Sequence, residues 1–287
     1  MPLRLLVVEG NTRPARERHR ADYGLTMSES YADVLRSIAP DAVCDIAFPT
    51  DAGTNLPDAA GLETYDGVVL TGSHLNAYDG GPEVTRQIEL ARAVYRSGTP
   101  MFGSCWGIQI GALAAGGEVR KNPLGRELGF ARKIFVNAAG RAHPLLEGRP
   151  SVFDAPVSHL DVVATLPAEI VVLASNAPTP VQAAEIRSEG GVFWGVQYHP
   201  EFGFGELASI IARFREPMIA EGFCRGAEDH AAYVEDLRAL DREPHRSDVA
   251  WRLGLDEEVL DPVRRTTEIR NFIRFRVRPE KSRRGRA

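Results

Sequence analysis

The chain has 287 residues, 44% of them hydrophobic and 25% charged. That mix excludes collagen, a coiled-coil rod and wholesale disorder, and a chain of this length buries a large core without staples. The net charge of −5 hides an asymmetry: residues 261–287 hold ten Lys and Arg against three acids, leaving 24 basic against 36 acidic residues elsewhere. An acidic body argues against nucleic acid as the natural ligand, and the basic tail reads as solvated. No run of 18 apolar residues occurs, and the apolar segment from Met1 to Gly10 is too short for a signal peptide, so a cytoplasmic protein without membrane contact is expected. Cys44, Cys105 and Cys224 make no C-x-x-C pair and no disulfide framework. His74, His143 and His159 lack ligand spacing, so neither a metal nor a cofactor is expected.

In chain order, Arg4–Val8 is a compact apolar run before Gly10 and reads as a buried strand. Residues 11–28 are polar, Arg-rich and patternless, and read as loop. Ser28 or Ser30 is placed to cap a helix over Tyr31–Ile38, which stops before Pro40. Ala42–Ala47 is a second strand and Gly67–Thr71 a third, opening into the loop Gly72–Gly81. Pro82 suits the first turn of a helix running to Arg96. Met101–Gly103 is a fourth strand, followed by an apolar helix over Gly107–Ala115. This alternation predicts a three-layer, mostly parallel open α/β sheet with flanking helices.

Between residues 118 and 198 the period shortens. Arg132–Asn137, Ser151–Phe153, Ile170–Ser175, Val181–Ile186 and Val192–Gln197 read as hairpins and added strands. Helical spacing returns over Gly205–Ile219, 226–241 and 256–277, with a polar break at 242–248. The change in character near Gly222 divides the chain into a main domain, 1–222, and a helical extension, 223–287.

Three segments carry chemistry. In Gly103-Ser104-Cys105-Trp106-Gly107 a thiol is flanked by glycines between a strand and a helix, the arrangement of a nucleophile elbow. The helix N-terminus beneath it favours a thiolate. In Gly195-Val196-Gln197-Tyr198-His199-Pro200-Glu201 an imidazole stands just past a strand with a carboxylate two residues on. Such a carboxylate can orient the ring while the other ring nitrogen faces a thiol. In Leu70-Thr71-Gly72-Ser73-His74 a strand opens into small residues that can aim a backbone N–H at the elbow, with Trp106 N–H as a second oxyanion donor.

Together these segments resemble the class I, triad-type glutamine amidotransferases, and in particular the amidotransferase domain of GMP synthase and its stand-alone relatives. The family's G-x-C-x-G-x-Q is matched by Gly103 to Gln109, and its G-V-Q-[FY]-H-P-E by Gly195 to Glu201. Gly116-Gly117-Glu118-Val119, Arg126-Glu127-Leu128-Gly129-Phe130-Ala131 and Ser158-His159-Leu160-Asp161-Val162 resemble three further family segments, in order, over residues 1–220. The resemblance implies a flavodoxin-like fold, Cys105 as nucleophile, His199 as general base then acid, and Glu201 as its orienter. It implies oxyanion donors at Ser73 and Trp106 and substrate contacts at Gly72 and Gln109. Thr71-Gly72-Ser73-His74 departs from the family's S-G-G-P loop, with Ser73 at the place of the second glycine.

The implied reaction is hydrolysis of the glutamine side-chain amide through a thioester, giving glutamate and ammonia. The chain carries no G-x-x-x-x-G-K-[ST] and no S-G-G-x-D-S loop. The ammonia is therefore expected to pass to a separate ATP-dependent synthetase. A stand-alone γ-glutamyl hydrolase or peptidase with the same triad is the alternative, and an inactive scaffold on this fold a third reading. Residues 223–287 are expected to pack on the core, to associate with a second copy, or to dock a partner.

Overall fold

The computed structural model of the chain describes residues 2–285. Strand β1 (Leu3–Val8) lies inside the sheet, pairing in parallel with β2 (Ala42–Ala47) on one side and β3 (Gly67–Leu70) on the other. Next come β4 (Met101–Ser104) and β11 (Gly191–Val196), still parallel. Beyond β11 the pairing turns antiparallel through β10 (Ala183–Ser188), β9 (Ile170–Ser175), β6 (Glu127–Val136) and β7 (Val152–His159), completing a nine-stranded sheet. A separate two-stranded ribbon joins β5 (Glu118–Lys121) to β8 (Asp161–Thr165).

The period of two along β1 builds the layers. Leu3, Leu5 and Val7 face a core with Tyr31 and Leu35 of the helix Met27–Ile38. Leu6 and Val8 face the opposite core with Val94 of Pro82–Ser97 and Ile108 of Trp106–Ala114. A strand covered on both faces is apolar nearly throughout, as Leu-Leu-Val-Val here. The parallel half of the sheet therefore has its carboxyl edge, where β3, β4 and β11 end, framed by helices.

The segment read as loop at 11–28 is instead the helix Arg13–Tyr23 and the start of Met27–Ile38. Hydrophobic periodicity is silent there because the buried side chains of the first helix are Arg16 and His19. Arg16 is satisfied by Asp51 at 2.6 Å and His19 by Glu206 at 3.1 Å. The cap of the second helix is Thr26 rather than Ser28 or Ser30. Thr26 accepts from Glu29 N while Glu29 accepts from Thr26 N, a capping box.

The extension differs in detail from its expected form. Ser247–Leu253 begins inside the polar break and Pro262 divides the stretch expected as one helix, while just before the extension residues 205–219 split into Phe204–Arg213 and Arg215–Ala220. The basic tail is docked rather than solvated. Ile269, Phe272, Ile273 and Val277 are buried in the core that holds Leu3 and Tyr198. This i, i+3, i+4, i+8 stripe was masked by the interleaved arginines. Arg274 and Arg278 pair with Glu147 and Asp41, and Arg284 donates to the carbonyl of Glu63. The tail thus neutralises part of the chain's own acidic body; Arg286 lies outside the described residues.

Candidate active site

The turn from β4 into Trp106–Ala114 sets Cys105 at φ 54°, ψ −103°, a positive φ outside glycine. A non-glycine residue held there stores strain of about 1–3 kcal/mol and is kept by its surroundings. Two close approaches do the holding. A Cβ on Gly103 would stand 2.7 Å from Gly107 Cα, and one on Gly107 would stand 2.9 Å from Leu70 O. Cys105 N donates to Val196 O at 2.8 Å, tying the elbow to the end of β11.

That tie brings the second segment alongside. His199 follows β11 and is buried, and its Nδ1 lies 2.7 Å from Glu201 Oε1. The ring stacks on Phe202 with centroids 3.8 Å apart and also interacts with the Cys105 sulfur. Burial disfavours the imidazolium, but the Glu201 carboxylate and the Cys105 sulfur outweigh it and push the His199 pKa up to about 10. The Cys105 thiol also reaches Ser158 O at 3.6 Å. Sulfur, imidazole and carboxylate, separated by up to 96 positions in the chain, stand in one row.

The third segment meets the same row. A Cβ on Gly72 would fall 2.7 Å from His199 Cε1, so the loop backbone lies directly on the ring. Ser73 Oγ donates to Gly10 O at 2.8 Å and accepts from Leu75 N, fixing the loop. Trp106 is the first residue of its helix, so its N–H is not used by the helix ladder. Its indole donates to Gln87 Oε1 at 2.8 Å. Gln109, one turn further, is buried and donates to Asp161 O at 3.1 Å and to Gln197 Oε1 at 3.4 Å.

Cys105, His199, Ser73 and Gln109 open onto a cavity of about 520 Å³. One wall is the segment Ser158 to Asp161. Its His159 is braced by Glu127, a buried carboxylate that also accepts from Thr179 and Gln182. Asp161 accepts from the Tyr78 hydroxyl at 3.1 Å, and burial raises its pKa. A further part of the lining is Arg18 and His19 of the first helix with Phe202 and Arg213. Sequence reasoning missed this part; Thr12 followed by Pro14, a cap position and a first-turn proline, was the available signal for its helix.

A thiol on a strained elbow at the carboxyl edge of a parallel sheet, facing an imidazole–carboxylate pair, is an arrangement suited to nucleophilic attack on an acyl carbon. The family model described as glutamine amidotransferase class-I matches residues 21–216, well over half the chain. The chain therefore belongs to the class I glutamine amidotransferase family. The gamma-glutamyl-L-1-hydroxyisopropylamide hydrolase of a Pseudomonas species is 37% identical over 225 residues, 77% of this chain and 75% of that protein. The GMP synthase of Leifsonia xyli is 36% identical over 146 residues, 50% of this chain but 27% of that enzyme. That of Bordetella avium is 28% identical, matching 83% of this chain and 42% of its own length. Among solved structures, a glutamine amidotransferase from Thermotoga maritima superposes with TM-score 0.67 at 17% identity, covering 96% of this chain and 99% of its own, which supports the fold.

Proposed function

We propose that the chain hydrolyses a γ-glutamyl amide through a Cys105 thioester, with glutamine as the simplest substrate. His199, its pKa raised to about 10, holds the Cys105 proton as an imidazolium beside the thiolate, and the thiolate sulfur attacks the amide carbon. The oxyanion that forms accepts from the N–H groups of Ser73 and Trp106. As the C–N bond breaks, His199 gives its proton to the departing nitrogen, which leaves as ammonia or an amine. Water then attacks the thioester, deprotonated by His199; the C–S bond breaks, glutamate leaves and the thiolate reforms beside the imidazolium. Glu201 holds the imidazole in register and stabilises its charged form, and Gln109 lines the place of the glutamyl group, while Gly72, outside the cavity lining, packs against the His199 ring. The row Cys105, His199, Glu201 at a cavity mouth carries this reading. The setting proposed is the cytoplasm, where the free thiols stay reduced.

The first form of this activity is a glutaminase whose ammonia passes to a separate ATP-dependent synthetase. The likeness to GMP synthases over a quarter to two-fifths of their length favours it. The second form is a hydrolase of substituted γ-glutamyl amides. The similarity to the Pseudomonas hydrolase over three quarters of both chains favours that form, as does a cavity within the ~300–1,000 Å³ typical of drug-sized ligands. Glutamate release from glutamine and from γ-glutamyl ethylamide, assayed with the chain alone, decides between them. Cys105→Ala is expected to abolish both activities; normal turnover by that variant would overturn the mechanism.

A further inference from the structure

We infer that Arg18 is a specificity-determining residue that binds a carboxylate on the leaving amine, so that the preferred substrates are γ-glutamyl amino acids and peptides. The inference rests on the hydrolytic reading above.

The side of the cavity that takes the leaving group follows from His199. This imidazole must protonate the departing nitrogen, so the leaving group lies on the His199 side of the Cys105 sulfur. Gln109, which the proposed function assigns to the glutamyl group, donates through Nε2 to Asp161 O, so these two residues lie together in the cavity lining.

The helix Arg13–Tyr23 is fastened to the Phe202 side. His19 Nε2 meets Glu206 Oε1 at 3.1 Å, and Arg213 Nη1 meets Asp22 Oδ2 at 2.9 Å, both across to the helix Phe204–Arg213. Arg18 of this anchored helix lines the cavity together with His19, Phe202 and Arg213.

The charges on the wall are unequal. Among the described lining residues Arg18, Arg126 and Arg213 are arginines and Asp161 is the sole carboxylate. Arg213 is engaged by Asp22 and Arg126 by Glu221. Arg18 is exposed and has no hydrogen-bond or ion-pair partner among the described residues. The field it creates is felt locally: burial, then Arg18 and Arg213, hold the His74 imidazole below its ordinary pKa. His74 Nδ1 is occupied by Asn11 Oδ1 at 2.9 Å, so a neutral His74 does not compete for an anion. A guanidinium in this position matches a carboxylate with two parallel donors.

The test compares γ-glutamyl-glycine with γ-glutamyl-glycinamide, which differ in a carboxylate against a carboxamide, with glutamine as reference. For the wild-type chain kcat/KM is expected to be about tenfold higher on the acid, the scale of one charge-assisted hydrogen-bond pair. In Arg18→Gln the acid-to-amide ratio is expected to fall to about one, and in Arg18→Lys to an intermediate value. A wild-type ratio near one, or a preference for the neutral amide, overturns the inference while leaving the hydrolytic reading intact. An unchanged ratio in Arg18→Gln also overturns it. No turnover of any of the three compounds overturns the hydrolytic reading and this inference together.

Discussion

The Tyr198 hydroxyl donates to Glu268 Oε1 at 2.8 Å, joining the residue beside His199 to a side chain 70 positions later, beyond the segment matched by the family model. Glu268 is fully buried and also receives Arg149 through Nε at 2.7 Å and Nη2 at 2.8 Å. Arg149 in turn bonds Glu258 at 2.9 Å and lies over the Phe153 ring, which packs edge-on to Tyr198. The extension thus supplies the floor under the end of β11. Its charge at Glu268 holds the Arg149 guanidinium firmly protonated despite burial.

Glu268→Ala is expected to destabilise the chain by about 3–5 kcal/mol, because it leaves a buried guanidinium without its main partner. Urea unfolding measures this directly. Removing residues 261–287 uncovers Leu3, Tyr198 and Phe272's partners as well, and is expected to give insoluble or unfolded protein. A soluble, cooperatively folding truncation would show that neither the tail nor the core it shares with Leu3 and Tyr198 is needed for folding.

Gly72→Ala is a sharper probe of the proposed active site. The added methyl would sit 2.7 Å from His199 Cε1, inside contact distance, so the ring or the loop must move. A displacement near 1 Å at a proton-transferring group typically lowers turnover ~10²-fold. Glutamate release should fall by that order while the far-ultraviolet spectrum stays native. Unimpaired turnover would mean that the loop and the ring separate freely and that their contact has no part in the chemistry.

His199 makes stability depend on pH in a defined direction. Its folded pKa of about 10 lies above the ~6.5 of an unfolded histidine. The ionised ring therefore contributes stability fully below ~6.5, and the contribution is lost as pH rises through about 10. The stability difference between wild type and His199→Gln should shrink steadily from pH 6.5 to pH 10, read by urea unfolding at each pH. A difference that grows with pH would contradict the charged pairing with Glu201 and Cys105.

The buried His19–Glu206 contact offers a test of the cavity wall. Glu206 also accepts from Ser30 Oγ at 2.6 Å, so Glu206→Ala leaves two polar groups unsatisfied and loosens the helix that carries Arg18. Loss of about 2–4 kcal/mol is expected, with faster amide exchange in residues 13–23. Unchanged exchange there would indicate that other contacts fasten the helix.

Much of this protein was legible in its residues before any coordinates. The run Leu5 to Val8, the Gly103–Gly107 frame around Cys105 and the His199-Pro200-Glu201 turn each depend on local geometry, which admits few residue types at those positions. Apolar alternation and glycines at close approaches are written in adjacent letters, so the parallel half of the sheet and its elbow could be read directly. The short strands β5 and β8 could not, because four or five residues of mixed polarity gain their state only by pairing with each other.

What the tertiary structure decided is how distant polar groups find one another. The first helix hides behind Arg16 and His19, whose burial is tolerable only because Asp51 and Glu206 arrive from elsewhere. The tail's arginines imply solvent until Phe272 and Val277 are seen filling the space beside Gly67, and until Glu268 meets Tyr198. A buried charge is favourable or ruinous according to its partner, and sequence separation carries no information about that partner. Residue identity alone therefore determined the proposed reacting groups, whereas the wall that would select a substrate and the floor that supports the site were settled by long-range contact.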